Sequence, residues 1–178
     1  GDVVLMDLTK RLAEGLAYWR RLRRGRPMPS RTDIDPVDLR GMLPYVYLLD
    51  VEGPSRYRYR LIGQNIVDNL GHNATGLLAD EALFGEGLAE ILRMYDFVAA
   101  NGAPVLNRGR AFWVDFSWRR YVSLLMPLSS DGRTVDRIFA VLEFETVREK
   151  PSDWDDSSRA LWDPVDPETG AVLTRAPA

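Results

Sequence analysis

Residues 45–63 read YVYLLDVEGPSRYRYRLIG, and this stretch decides the fold class of the chain. Residues 45–52 are rich in β-branched and aromatic side chains, whereas residues 56–63 alternate between basic and apolar ones. Both patterns are typical of strands, and the Gly-Pro-Ser sequence at 53–55 between them is typical of a turn. We therefore predict a β-hairpin here.

The residues after the hairpin predict helices first and then further strands. Residues 64–71 fit two helical turns, and residues 78–84 fit one more. A longer helix follows, because apolar side chains recur along one face at spacings of three and four, namely Leu88, Ile91, Leu92, Tyr95 and Val98. Three more strands are predicted at 104–113, 119–128 and 135–145. The predicted fold class is α+β, with five antiparallel strands and helices on one face, and a small-ligand cavity is expected between the two layers.

The N-terminal segment predicts an amphipathic helix that ends near Gly25 and Pro27. Its apolar stripe consists of Leu5, Leu8, Leu12, Leu16, Trp19 and Leu22. A helix with one apolar face must bury that face against something. Two interpretations stay open, since the stripe could pair with a second copy of the chain or cover the chain's own sheet.

Three segments are predicted along the chain. Residues 1–43 form the N-terminal helix and a Pro-rich connector, residues 44–148 form the α+β domain, and residues 149–178 form an acidic tail. The last segment is rich in Asp and Pro and shows no hydrophobic period, which is typical of a tail rather than of packed elements.

Composition excludes several classes of site. The 178 residues contain no cysteine and one histidine, so disulfides, thiolate nucleophiles, zinc–thiolate sites, iron–sulfur clusters and cysteine-linked chromophores are ruled out. The net charge of −3 divides into +5 over residues 1–31 and −8 over the remainder. An acidic body argues against a nucleic-acid partner for the whole chain. The sequence shows no membrane-length apolar run and no signal-peptide pattern, so we expect a cytoplasmic protein without membrane contact.

A series of short motifs resembles a family of bacterial PAS-like proteins that usually stand alone. The matching motifs are Tyr18-Trp19, Arg24-Gly25-Arg26, Pro29-Ser30-Arg31, Asp33-Ile34-Asp35-Pro36, Leu43-Pro44, Leu48-Leu49-Asp50, Tyr59-Arg60-Leu61-Ile62-Gly63 and Thr75-Gly76. The resemblance covers about residues 12–145. It implies a PAS-like fold with a sensory or regulatory role, and it implies no particular reaction or ligand.

Seven residues are candidates for binding a small molecule in the expected cavity: Asn65, Asn69, Phe84, Leu88, Ile91, Tyr95 and Met126. The two asparagines would supply hydrogen bonds and the others apolar contact. The alternative is that the asparagines are helix surface and that the apolar residues are ordinary core. Trp113, which is close to Phe116 and Trp118, is a candidate for interaction with the N-terminal helix or a second subunit.

Two further features favour ordinary surface over a site. Arg20, Arg21, Arg23, Arg24 and Arg26 could grip phosphate, but such runs more often form a solvated face or pair with acidic residues. His72 follows a short helix, where a lone histidine is a weak candidate for a haem or metal ligand.

Arg60 needs a carboxylate partner if it faces inward, and Asp33, Asp35 and Asp50 are the options. No metal site is predicted.

The leading hypothesis is a regulatory module that binds an unidentified small molecule and signals through a protein partner, with a homodimer expected. No cofactor is specified. The second hypothesis is a ligandless interaction or dimerisation module, and a weaker one is a small enzyme with an Asp or Tyr acid–base. The sequence contains no phosphate loop, GxSxG or HExxH motif, so no catalytic residue is predicted and a non-enzymatic role is favoured.

Overall fold

A computed structural model describes residues 3–4, 8–112, 118–147, 149, 152 and 161–173. Its strands are β1 (Val3–Val4), β2 (Val46–Gly53), β3 (Arg56–Ile62), β4 (Val105–Phe112), β5 (Trp118–Leu128), β6 (Arg137–Val147), β7 (Leu161–Pro164) and β8 (Val172–Leu173). Its α-helices are α1 (Lys10–Arg23), α2 (Gln64–Leu70), α3 (Glu81–Phe84) and α4 (Leu88–Asn101), with 3-10 turns at Arg31–Asp33, Leu43–Tyr45 and Gly85–Gly87.

The central sheet is antiparallel and has the strand order β3-β2-β6-β5-β4-β7 over the described residues. The α+β class and the predicted hairpin, now β2 and β3, are confirmed. The number of strands is not five but six, because β7 pairs with the outer edge of β4. β7 lies within the segment that we predicted as a tail, where four residues are too few to show a period.

The C-terminal segment also returns to the N-terminus. β8 pairs with β1, with Val172 opposite Val4 and Leu173 opposite Val3. Val165 and Val172 are both buried. Residues 161–173 are therefore attached to the folded body at two places, β7 to β4 and β8 to β1. The domain boundaries that we predicted from composition stay predictions.

The two faces of the central sheet carry different helices. Alternate residues of a strand face opposite sides, so register separates the faces. The inner face includes Tyr59, whose hydroxyl lies 2.7 Å from that of Tyr95 on α4. The outer face includes Val141, which packs against α1 so closely that a Cβ at Gly15 would lie 2.8 Å from its Cγ2 atom. The sheet is thus covered on both sides.

Helix α1 buries its apolar stripe against the outer face. Leu12, Leu16, Trp19 and Leu22 are all buried, and Leu8 is partly buried. The Trp19 indole N–H donates to the Pro127 carbonyl oxygen at 2.8 Å, which fixes the helix on β5. In this structure the chain's own sheet covers the stripe, the second of the two interpretations above, so these four residues offer little surface to a partner. Leu5, Trp113 and Phe116 lie outside the described residues.

The connector between α1 and β2 is held by a few polar contacts. Ser30 and Asp33 form a reciprocal capping box at the first 3-10 turn, and Arg26 forms an ion pair of 2.6 Å with Asp33. Arg60 and Arg137 both pair with Asp50, which is 8% exposed. Asp50 is one of the three partners that we considered for Arg60. Within the described ranges, no helix has both the length and the apolar character that a membrane span requires.

Candidate functional site

Six polar side chains meet between the inner face of the sheet and helix α4, and we call them the inner polar cluster: Tyr47, Tyr59, Tyr95, Asn107, Tyr121 and Ser123. Asn107 on β4 lies directly opposite Ser123 on β5. Both are almost fully buried, with exposed fractions of 3% and 0%. Polar side chains at this depth in a sheet are uncommon, and the large majority of those that occur have a hydrogen-bond partner.

The tyrosines of the cluster connect β2 and β3 to α4. The hydroxyl groups of Tyr59 and Tyr95 lie 2.7 Å apart and are both buried. The Tyr47 and Tyr59 rings are 6.0 Å apart between centroids, and the Tyr57 and Tyr95 rings are 5.1 Å apart. These distances fit the tilted and edge-on packing that aromatic rings prefer. The cluster therefore has rigid aromatic walls.

Two buried atoms of the cluster lack a hydrogen-bond partner within the described part of the chain. They are the Asn107 Oδ1 atom and the Ser123 Oγ atom. Ser123 is close enough to Tyr47 to offset part of the rise in the pKa of that tyrosine, yet its contact does not meet hydrogen-bond geometry. An unpaired buried polar group costs about 1–3 kcal/mol, so such an atom requires an explanation.

The cluster is uncharged at neutral pH. Burial raises the pKa of Tyr47 and Tyr95 well above the usual value, and it also raises the pKa of Tyr59 and Tyr121. A hydrogen bond with Asn107 offsets part of the rise in the pKa of Tyr121. The hydroxyl groups consequently stay protonated and can both donate and accept hydrogen bonds.

A glycine positions Tyr121. Gly109 on β4 is directly opposite Tyr121 on β5. A Cβ atom at Gly109 would lie 2.3 Å from the Tyr121 hydroxyl oxygen, a distance that no side chain can occupy. The absence of a side chain at Gly109 thus lets the Tyr121 ring lie across β4, toward Asn107.

An aspartate on α4 fastens the β2–β3 hairpin to the helix. Asp96 accepts hydrogen bonds from the Ser55 N–H at 3.1 Å and from the Ser55 and Tyr57 hydroxyl groups, each at 2.5 Å. Burial and the hydrogen bond to Asp96 together raise the pKa of Tyr57. Sequence reasoning missed this contact because its partners are 39 and 41 residues apart.

We call the hydrogen bonds from Ser55 and Tyr57 to Asp96 the Asp96 latch. A cleft of about 640 Å³ opens beside it, between the hairpin and helices α3 and α4. Tyr57, Leu88 and Leu92 are among the side chains that line it. The Tyr57 ring stands 5.1 Å from Tyr95, so Tyr57 separates the cleft from the inner polar cluster.

The structure places the seven candidate residues in different environments. Tyr95 belongs to the inner polar cluster, Phe84 and Ile91 are partly buried against the core, and Leu88 lines the cleft. The side-chain amide of Asn69 donates to the Asn65 carbonyl oxygen at 2.8 Å and lies 3.3 Å from the Asn65 side-chain oxygen, so it is used within α2. Arg119 donates to the Asn69 carbonyl oxygen at 2.5 Å, next to the end of that helix.

Met126 does not lie with the other candidates. Successive side chains of β5 point to opposite faces of the sheet. Ser123 and Leu125 have odd numbers and face the inner side, so Met126, which has an even number, faces α1. Its methyl carbon lies 3.7 Å from the position that a Cβ at Gly15 would take. The strand period thus places Met126 and Tyr95 on opposite faces of the sheet.

His72 is exposed, and no group of three metal-ligating side chains occurs in the described part of the chain. The residues that sequence reasoning missed are Asn107, Ser123, Tyr47, Tyr59 and Tyr121. Their signal was a set of polar residues at matching positions of neighbouring strands, which is visible only once the register is known.

Two solved structures resemble this fold. The crystal structure of the Vibrio cholera VqmA–ligand–DNA complex matches with a TM-score of 0.43 and 15% identity, over 62% of this chain and 49% of that chain. VqmA bound to DPO matches with a TM-score of 0.44 and 15% identity, over 65% of this chain and 58% of that chain. The match therefore spans 49% and 58% of the length of those two chains.

A search of curated proteins found no match to this sequence. The family model described as "PAS domain" matches residues 9–143, from the start of α1 to within β6. That range includes the inner polar cluster and covers most of the chain. The chain belongs to the PAS domain family.

Proposed function

We propose that this protein is a sensory module that binds a small, uncharged molecule between the inner face of the sheet and helix α4. The observation that carries the proposal is the pair of unpartnered buried atoms, Asn107 Oδ1 and Ser123 Oγ. A ligand that hydrogen-bonds to both would recover the free energy that their burial costs. Membership of the PAS domain family supports a sensory role over a purely structural one.

The cluster restricts the chemistry of this molecule. Asn107 Oδ1 is an acceptor, so the ligand must donate a hydrogen bond to it. Four neutral tyrosines surround the pair, and an ionised ligand there would lose its hydration without a partner of opposite charge. The ring walls favour a flat molecule. The expected ligand is a small heterocycle or aromatic compound with a donor and an acceptor group.

The same chemistry disfavours the enzyme hypothesis. A tyrosine with a raised pKa is a poor general base at neutral pH, because it holds its proton. Tyr95 and Tyr59 both have raised pKa values. The cluster is suited to recognising a ligand rather than to abstracting a proton from it.

We propose that the ligand enters through the cleft and that its presence is read out by a protein partner. Tyr57 would turn aside, and the Asp96 latch would hold the hairpin against α4 once the ligand is in place. A ligand shifts only an equilibrium between states that it contacts differently, and latched and unlatched hairpins are such states. The homodimer remains part of this proposal.

Thermal denaturation of the full chain tests the proposal. The uncharged fraction of a bacterial cell extract, added to the wild-type protein, should raise its melting temperature, because a ligand that binds only the native state stabilises it. The Asn107→Leu variant should lose this shift, while the Asn101→Leu variant, altered at an exposed asparagine of α4, should keep it. An equal shift in all three proteins would contradict binding at the cluster.

The Asn107→Leu variant also separates ligand binding from a structural role. The Asn107→Leu variant removes a buried oxygen that has no partner, which favours the fold, and it also removes the hydrogen bond to Tyr121, which disfavours it. The melting temperature of Asn107→Leu without extract should therefore lie within about 4 °C of that of the wild type, the shift that 1 kcal/mol produces in a domain of this size. A larger loss would mean that Asn107 supports the fold. The absence of a shift with any extract would favour the ligandless interaction module.

A further inference from the structure

A second cleft lies at the C-terminal end of α1, next to the outer face of the sheet. It has a volume of about 500 Å³ and is lined by Ala17, Arg20, Arg21, Arg23, Gly25, Arg26 and Glu168. We call it the arginine cleft. Four guanidinium groups line it, of which Arg23 pairs with Glu168 and Arg26 pairs with Asp33, and a volume of this size falls within the range of small-molecule sites.

The end of the helix brings these arginines together. Arg24 and Gly25 have positive φ values of 52° and 78°, so the chain reverses directly after α1. Arg26 folds back and donates to the Leu22 carbonyl oxygen at 2.9 Å. Cations at a helix C-terminus are stabilised by the helix dipole, so the cluster is tolerated without an anion.

Arg23 is the best-held member of the cleft. Its side chain is only 13% exposed, and its guanidinium carbon lies 4.9 Å from the centre of the Trp19 ring. Its Nη2 atom lies 2.8 Å from Glu168 Oε1, while its Nε atom is buried with no hydrogen-bond partner in the described ranges. The Arg23 guanidinium group is therefore paired through Nη2, while its Nε–H donor is unused.

Glu168 resembles a replaceable partner. It stands in a turn whose N–H groups at Glu168 and Thr169 donate to Asp166 Oδ1, and its side chain is 69% exposed. An ion pair with so exposed a partner contributes little to stability. An anion with two or three oxygens would satisfy more of the arginine donors than this one carboxylate does.

We propose that the arginine cleft binds a small soluble molecule that carries at least two phosphate groups, and that Glu168 occupies part of the site in its absence. The planar donors of arginine match phosphate oxygens in pairs. Nucleic acid is the less suitable occupant, since the chain beyond residue 31 carries a net charge of −8 and would repel an extended polyanion. The cleft lies on the face opposite the inner polar cluster, so this inference does not depend on the proposed function.

Titration calorimetry with inorganic pyrophosphate tests the proposal on the full chain at low salt. We expect saturable binding that the Arg20→Gln/Arg21→Gln double variant weakens by about tenfold or more, since it removes two guanidinium groups that can form charge-assisted hydrogen bonds with phosphate. Both side chains are exposed, so the variant should remain folded. Arg93→Gln, altered at an exposed arginine of α4 on the other face of the sheet, should bind as the wild type does.

The Glu168→Gln variant provides a prediction of opposite sign. Removing the competing carboxylate should tighten pyrophosphate binding, and unfolding or general damage cannot produce that result. The proposal would be overturned by an absence of saturable heat, by equal weakening in Arg93→Gln, or by unchanged affinity in Glu168→Gln. Tighter binding of a short single-stranded DNA than of pyrophosphate would also overturn it, because it would assign the cleft to nucleic acid.

Discussion

Asn107 and Ser123 lie directly opposite each other on neighbouring strands at the centre of the sheet, and each has a buried oxygen without a hydrogen-bond partner within the described residues. Such pairs on a sheet normally bond to each other or are replaced by apolar residues. Here they sit beneath four tyrosines and face α4 rather than solvent. This relationship underlies the proposed ligand site.

Ser123→Ala should leave the free energy of unfolding unchanged within about 0.5 kcal/mol or raise it, because the variant removes a buried hydroxyl that makes no good hydrogen bond. Urea denaturation followed by tryptophan fluorescence measures the effect. A loss of more than about 1 kcal/mol, the typical net contribution of one hydrogen bond, would show that Ser123 is paired in the native protein.

Tyr59→Phe should lower the free energy of unfolding by about 1–2 kcal/mol, because the Tyr95 hydroxyl would lose its 2.7 Å partner and remain buried. Urea denaturation measures the loss. The Tyr59→Phe/Tyr95→Phe double variant should recover part of it, since the Tyr95 hydroxyl that lost its Tyr59 partner is then removed as well. Strictly additive losses would argue against the hydrogen bond.

Gly109→Ala should destabilise the protein by about 1–3 kcal/mol, because the new methyl group would displace the Tyr121 ring. Gly41→Ala is the matched control, since a Cβ there meets no atom within 4 Å. Thermal denaturation compares the two. Near-ultraviolet circular dichroism should also change in Gly109→Ala, because the Tyr121 ring moves. A Gly109→Ala variant with the stability and the near-ultraviolet spectrum of the wild type would contradict the position of Tyr121 against Gly109.

Asp131 should contribute stability that depends on pH. Hydrogen bonds from the Thr134 and Arg133 N–H groups and from Ser129 lower the pKa of Asp131 to about 2 from 3.8. A lowered pKa in the folded state means that the contribution is complete above pH 3.8 and disappears as the pH falls toward 2.

The urea midpoint of the wild type should therefore fall more steeply between pH 4.5 and about 2.5 than that of Asp131→Asn, since only the wild type has this carboxylate to protonate. Asp38→Asn, altered at another exposed aspartate, should follow the wild type. Parallel curves for wild type and Asp131→Asn would contradict the hydrogen-bonded turn.

Trp162→Ala should loosen β7 from the sheet. The Trp162 ring lies 4.9 Å from Phe97 on α4, and Trp162 pairs in register with Asn107 on β4. Hydrogen exchange should accelerate at amides in β4 and β7, while amides in β2 and β6 keep their protection, because edge strands open locally. Unchanged exchange in β4 would indicate that β7 does not depend on this contact.

Local signals in the sequence predicted most of the fold. The β2–β3 hairpin was predictable because its strands and turn are adjacent, and α1 and α4 were predictable from the spacing of their apolar residues. Strand β7 was not, since four residues carry no period and its existence depends on pairing with β4, more than 50 residues away in sequence.

The candidate site was less accessible to sequence reasoning. Tyr95 could be predicted because it lies on the clear apolar face of α4. The face that Met126 takes could not be predicted, because it depends on the register of β5. Asn107 and Ser123 resembled outward-facing polar positions of alternating strands. The cluster arises only when four separate strands and α4 are brought together, so no short stretch of sequence encodes it.

Native mass spectrometry of the freshly purified full chain tests whether a small molecule occupies the inner polar cluster. We expect the wild type and the Asn101→Leu control to carry a reproducible extra mass of a small neutral molecule, which is lost on denaturation. The Asn107→Leu variant should show the protein mass alone. The same extra mass on Asn107→Leu as on the wild type would contradict a ligand site at Asn107 and Ser123.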